Sequence, residues 1–173
     1  MAIPDWQTKD EDLIREACRH GESMLAAQVT LATSADQRAA VLAGIFTAVA
    51  TGIIIAVATN SAFAESHALA AGAVVAIGAY LIGAALCIVT ALPVDFWPPG
   101  NNPSQWYEDI EKGSPLKLAI GQQAAHFDDH IAANNKVLVR NSRIFFAGAV
   151  IGVSAPFLAL AAAGITCLLC ANA

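Results

Sequence analysis

Three long stretches without a charged residue or a histidine constrain this chain more than any other feature. They cover residues 39–59, 68–92 and 144–171. Each is long enough to provide the roughly 20 apolar residues with which a helix crosses about 30 Å of hydrocarbon. Lipid cannot hydrogen-bond an exposed backbone amide, so a spanning segment of this kind must be helical. The sequence therefore predicts an all-α integral membrane protein with three transmembrane helices.

The basic residues predict how these helices are oriented. All nine Lys and Arg residues lie before the first stretch or between the second and the third, and Arg38 and Arg143 border the spans. Cytoplasmic loops carry the excess of Lys and Arg, so we expect the N-terminus in the cytoplasm and the C-terminus outside. The polar start of the chain predicts no cleavable signal peptide. The net charge of -5 argues against a nucleic-acid partner.

Charge is also segregated along the chain, which predicts its organisation. Only 13% of the residues are charged, against about 25% in an average soluble domain. We expect a cytoplasmic amphipathic helix in residues 1–38 and a transmembrane hairpin in residues 39–93. A cytoplasmic insert with a proline-rich loop and helices follows in residues 94–143, and the third span in residues 144–173.

Small residues recur one turn apart inside the predicted spans. The candidates for close helix association are Gly72, Gly83, Gly148 and Gly152. Such packing can occur within one chain or between chains, and the sequence leaves both open. Ionisable residues inside a membrane mark most ion and proton pathways. Their absence from these spans argues against a pump or an ion-coupled transporter.

The predicted N-terminal helix begins near Asp10 and carries an apolar stripe at steps of three and four residues. This stripe needs a partner, which can be the insert, another subunit or the membrane surface. A helix lying on a membrane normally has a Lys-rich polar face, and this one is mixed. The pattern therefore favours packing against protein.

Residues 92–103, where the hairpin passes into the insert, contain four prolines that forbid a regular helix. Ser104 is then a plausible cap for a short helix. Ser114 followed by Pro115 predicts the start of a longer helix at Leu116, which can continue into the third span.

Chemical candidates are few. His126 and His130 are one turn apart, a spacing that can hold zinc. No third ligand is close in sequence, and the Glu of a His-Glu-x-x-His signature is missing. We therefore expect a polar face without metal, and neither catalytic residues nor a cofactor. The residues expected at a cytoplasmic interface are Asp36, Arg38, Asp95, Trp97, Asn101, Trp106, His126, Asp129, His130 and Asn134.

Three short motifs carry a resemblance. They are Asp36-Gln37-Arg38-Ala39 before the first span, Ala91-Leu92-Pro93 at the end of the second, and Asn134-Asn135-Lys136 in the insert. In these motifs the chain resembles bacterial small membrane effectors of the Pycsar type and related two-span antiphage effectors. The resemblance implies an oligomeric protein that perturbs the bacterial inner membrane after a nucleotide signal. We expect no separate nucleotide-sensing domain in these 173 residues, which is a departure from that pattern.

Three functions thus remain open from the sequence. The first is a non-enzymatic membrane effector that oligomerises and can form a pore. The second is a structural or accessory subunit of a larger membrane complex. The third is a membrane enzyme using His126, Asp129 and His130. The expected partners are the lipid bilayer and either further copies of the chain or a membrane-complex protein.

Overall fold

The computed structural model describes residues 5–172, and of Gln7 only the backbone. The elements are a 3-10 turn Trp6–Thr8 and the helices α1 Glu11–Thr59, α2 Ala62–Glu65 and α3 His67–Thr90. They are followed by a second 3-10 turn Pro103–Trp106 and by α4 Tyr107–Lys112 and α5 Leu116–Ala171. The described part of the chain contains no strand, so the prediction of an all-α fold is confirmed. The first four residues of the predicted N-terminal segment, and Ala173 of the last, lie outside the described residues.

Three helices, α1, α3 and α5, are long and apolar enough to cross a membrane, as predicted. The most apolar windows of α1 and α3 have a mean hydropathy of 2.4 and that of α5 of 2.2. Only 17%, 33% and 17% of these windows are buried within the chain. Exposed apolar surface on this scale is typical of a protein solvated by lipid.

Helix α1 begins at a side-chain cap. The Asp10 carboxylate accepts hydrogen bonds from the backbone N–H groups of Asp12 at 2.8 Å and Leu13 at 3.3 Å. These bonds satisfy donors that the first helical turn leaves free, and Glu11 in the same turn complements the helix dipole. No break separates the amphipathic segment from the first predicted span, which lies wholly inside α1.

The insert between α3 and α5 has one local correction to the sequence prediction. Asn102, and not Ser104, caps the turn that starts this region, because its side chain accepts from the Ser104 N–H. Helix α4 then ends at Lys112 and is capped by Gly113, whose φ of 61° is left-handed and suits glycine. Helix α5 starts at Leu116, as predicted, and continues through the third predicted span without a break.

The chain forms two compact units, and α1 and α5 contribute to both. The polar unit comprises the chain before Ala35 together with Val94–Val139. Its buried apolar residues include Ile14 and Leu25 of α1 and Phe127 of α5. Ile14 and Leu25 belong to the predicted stripe of the N-terminal helix and are buried in this unit. Leu13 belongs to the same stripe but is 65% exposed.

The apolar unit comprises Ala35–Pro93 and the chain from Arg140 onward. Its core is built from small residues around one aromatic ring. The buried cluster consists of Ala39, Ala43, Phe46, Ala84 and Cys87. Phe46 packs on Tyr80 of α3 with ring centroids 5.8 Å apart. Small side chains let the helices approach closely where no hydrophobic effect drives them together.

Candidate functional site: a cavity in the polar unit

The buried side-chain amide of Asn134 holds the proline segment (residues 94–103) on α5. The Trp97 backbone N–H donates to Asn134 Oδ1 at 2.9 Å, and Asn134 Nδ2 donates to the Trp97 carbonyl at 2.9 Å. Asn134 is fully buried. Its side chain therefore satisfies both backbone groups of Trp97, much as a neighbouring strand would.

A second amide pair holds the same segment further along. Asn101 Nδ2 donates to Gln123 Oε1 at 2.6 Å. The chain advances from Trp97 to Asn101 while the partners on α5 go back from Asn134 to Gln123. The proline segment therefore runs antiparallel to α5, tethered at two points about 16 Å apart along the helix.

Between these tethers, Trp97 stacks on His130. The two rings are nearly parallel, at an interplanar angle of 5°, with centroids 4.2 Å apart. His130 Nδ1 is buried and has no hydrogen-bond partner among the described residues. Burial lowers the pKa of His130, the charge of His126 lowers it further, and Asp129 opposes the shift. Lowering its pKa favours the neutral form of the imidazole that lies against the indole.

The proline segment, the turn that follows it, α4 and α5 line a half-open cavity of about 910 Å³. Its lining includes the rings of Trp97, Trp106, His126 and His130. The acidic residues Glu108 and Asp109 of α4 line it as well, with Glu108 ion-paired to Lys112. The remaining polar lining is supplied mainly by Asn and Gln residues. No Lys or Arg is found among the described residues of the lining. The cavity is therefore aromatic, rich in amides and negatively charged.

The two histidines do not form a recognisable metal centre. The rings of His126 and His130 are 6.5 Å apart between centroids and tilted by 31°. Within residues 5–172, no group of three or more His, Cys, Asp or Glu residues is placed to hold a metal ion.

Six of the residues expected at a polar interface line this cavity or clamp its wall. They are Trp97, Asn101, Trp106, His126, His130 and Asn134. Asp95 and Asp129 are exposed in the same unit and outside the cavity lining. Asp36 and Arg38 are exposed on α1 and belong to the apolar unit. The structure therefore brings together only part of the expected set.

Sequence reasoning missed Gln123, and it placed Gln28 on the stripe of the N-terminal helix without assigning it a hydrogen bond. Gln28 is buried on α1, and its Nε2 donates to the Ile131 carbonyl of α5 at 3.2 Å. Both amides lie at the three- and four-residue spacing of the buried stripes on their helices. A polar side chain at a stripe position is a signal for a buried hydrogen bond, and it could have identified both.

In the apolar unit, the predicted glycines all lie where two helices meet. A Cβ added at Gly72 would be 3.0 Å from the Ala159 carbonyl oxygen, and one at Gly83 would be 2.9 Å from the Gly148 carbonyl oxygen. At Gly148 it would be 2.9 Å from the Leu86 Cβ, and at Gly152 it would overlap the Phe46 ring. These glycines are used in contacts within the chain.

Comparisons of the chain with protein-family models, curated proteins and solved structures gave no match.

Proposed function

We propose that this chain is a non-enzymatic membrane protein that self-associates through α1 and acts as an effector on the membrane that holds it. One observation carries the self-association: α1 has an exposed strip of small residues at four-residue steps. The small-residue strip consists of Ala40, Gly44, Ala48, Gly52 and Ala56. Side chains of the same chain leave it open, since a Cβ added at Gly44 or Gly52 would meet nothing within 4 Å.

The strip has the chemistry of a helix–helix contact. Helices in lipid associate by van der Waals packing, which requires small residues one turn apart so that the backbones can approach. From Ala40 to Ala56 the helix advances by 16 residues, which is about 24 Å along its axis and most of the hydrocarbon thickness. Gly83 and Gly148 are already in contact within the chain, so the open strip is the surface left for a second copy.

Two further arguments support an effector on the bacterial inner membrane. The basic residues favour a cytoplasmic polar unit, with the N-terminus inside and the C-terminus in the periplasm. The resemblance of the Asp36-Gln37-Arg38-Ala39 and Ala91-Leu92-Pro93 motifs to antiphage effectors favours membrane perturbation. A nucleotide signal also belongs to that resemblance, but the described residues of the cavity lining include no Lys or Arg, which usually bind phosphate.

The test compares glycines that are equally open within the chain. The double variant G44L/G52L fills the strip. The control G78L/G164L fills two other glycines that also meet nothing within 4 Å. Gly164 has the large residues Leu160 and Leu168 one turn away on either side, so its surroundings do not allow close backbone approach.

We expect wild type and G78L/G164L to form the same oligomer in lipid nanodiscs, and G44L/G52L to be monomeric. Induced expression should lower the membrane potential of cells for the wild type and the control, but not for G44L/G52L. An unchanged oligomer in G44L/G52L would rule out association through the strip. A normal membrane potential with the oligomer present would rule out the effector role.

The second candidate, an accessory subunit of a larger complex, is favoured by a different surface. Leu13, Met24 and Leu31 lie along the polar part of α1 and are 65%, 53% and 59% exposed. Apolar side chains in a row on a polar unit indicate contact with another protein. In this case, purification from native membranes in mild detergent should yield a partner in fixed stoichiometry. The triple variant L13S/M24S/L31S should lose that partner, whereas I110S, at another exposed apolar residue, should keep it.

A further inference from the structure

We propose that the cavity of the polar unit binds an organic cation, such as a quaternary ammonium or a protonated amine. Its volume of about 910 Å³ falls in the range of small-molecule sites, roughly 300–1,000 Å³. The proposal is independent of self-association through α1, because it rests on residues of the polar unit alone.

The indoles are the first argument for a cation. The face of a Trp ring attracts an organic cation more strongly than that of any other side chain. Trp97 and Trp106 both line the cavity. One face of Trp97 is covered by His130, yet 49% of the residue remains exposed. The uncovered face is available to a ligand.

The carboxylates of α4 are the second argument. Lys112 forms an ion pair with Glu108 one turn earlier and holds the pKa of that carboxyl below its usual range, first by hydrogen bonding and then by charge. Among the described residues, Asp109 has no side-chain hydrogen bond and no ion pair within 4.0 Å. The hydrogen bond to Glu108 raises the pKa of Lys112 most, and the charge of Asp109 also contributes. Asp109 therefore supplies a negative charge at the cavity that no hydrogen bond or ion pair of the described residues takes up.

The lining argues against the other ligand classes. An anion would face Glu108 and Asp109 without any Lys or Arg of the described lining to bind it. A bare metal ion would need at least three ligating groups in one place, and the described residues offer none. An uncharged apolar ligand would leave the charge of Asp109 without a counter-charge in the cavity.

The wall is also held in place before a ligand arrives. Asn134 fixes the backbone of Trp97, and Gln123 holds the Asn101 side chain further along the proline segment. The stack on His130 sets the direction of the Trp97 ring. Because the wall is already ordered, it loses little conformational entropy when a ligand binds. The Trp97 face can therefore contact a ligand without a large free-energy cost for ordering.

The test uses the full chain in lipid nanodiscs and a matched pair of probes. Choline carries a quaternary ammonium, and 3,3-dimethylbutan-1-ol has the same shape without the charge. Binding is measured by calorimetry and by ligand-observed NMR. We expect choline to bind at least about tenfold more tightly than the alcohol. Equal binding of the two probes, binding of inorganic phosphate in place of choline, or no choline binding at about 10 mM would overturn the proposal.

Four variants locate the site. Asp109→Asn and Trp97→Leu should each weaken choline binding about tenfold, and Trp97→Phe, which keeps an aromatic face, should weaken it less. Asp128→Asn removes an exposed carboxylate of α5 outside the cavity and should bind choline as the wild type does. Near-UV circular dichroism checks that each variant keeps its fold. Undiminished binding in a folded Asp109→Asn and a folded Trp97→Leu would exclude this cavity as the site.

Discussion

The polar and apolar units are built from parts of the same two long helices, yet different side chains hold them together. In the polar unit, side-chain amides cross between elements and bind backbone groups, as Gln28 does with Ile131 and Asn134 with Trp97. In the apolar unit, helices meet at glycines and alanines. Among the described residues, a single side-chain hydrogen bond joins two of its elements, from Asn141 Nδ2 to the Thr90 carbonyl at 3.2 Å.

The difference is the one expected when water solvates the polar unit and lipid solvates the apolar unit. In water, burial of apolar surface drives packing, and a buried amide can add direction at modest cost if all its groups are paired. In lipid, apolar side chains gain little by leaving the solvent, so contact area and close approach must supply the attraction. The two units should therefore fail in different ways when one residue is changed.

The largest effect is expected at Gly152 of the apolar unit. Gly152→Leu places a side chain where the Phe46 ring lies, and overpacking of this kind costs about 3 kcal/mol. Gly164→Leu is the matched control on the same helix, because its Cβ position is open. Unfolding by SDS in mixed micelles should show the loss in Gly152→Leu and little change in Gly164→Leu. Equal stability of the two variants would contradict close packing at Gly152.

A smaller effect is expected at Asn134 of the polar unit. Asn134→Ala leaves the Trp97 N–H and carbonyl without their partner, and Trp97 is half exposed, so water can replace part of the loss. We expect a loss of about 2 kcal/mol. Hydrogen exchange at the Trp97 amide should accelerate accordingly. The control Asn135→Ala, at an exposed neighbour, should leave that exchange unchanged. Slow exchange at Trp97 in Asn134→Ala would show that the clamp does not hold the segment.

The sequence predicts the membrane spans better than it predicts the contacts. Length and absence of charge are local properties, so the helices that contain residues 39–59 and 144–171 are evident without a structure. The α3 helix ends at Thr90, two residues before the predicted limit, because the following Leu92-Pro93 cannot continue it.

The cavity could be predicted only in part. Trp97, His130 and Asn134 stand out as polar or aromatic residues in the insert, but nothing local pairs Asn134 with a residue 37 positions away. The same holds for the glycines. Gly44 and Gly152 look alike in the sequence. Only the packing of the helices shows that the Phe46 ring covers Gly152, whereas Gly44 is open.

The smallest effect concerns pH and separates the two units again, because the Asp, Glu, Lys, Arg and His residues of the apolar unit all lie outside its spans. Burial lowers the pKa of His130 below its ordinary value of 6.5, so the folded polar unit binds this proton less readily than the unfolded chain. Its free energy of unfolding should therefore be highest above about pH 6.5 and fall as the pH drops below that value, until His130 is protonated in the folded state.

Urea unfolding of the polar unit, followed by near-UV circular dichroism between about pH 7.5 and 5.5, measures this slope. His130→Gln should flatten it, whereas His67→Gln, which changes an exposed histidine of the apolar unit, should retain it. SDS unfolding of the apolar unit should hardly change over the same pH range. If His130→Gln keeps the wild-type slope, another group of the polar unit is responsible, and the buried imidazole behind Trp97 is not what makes this unit pH-sensitive.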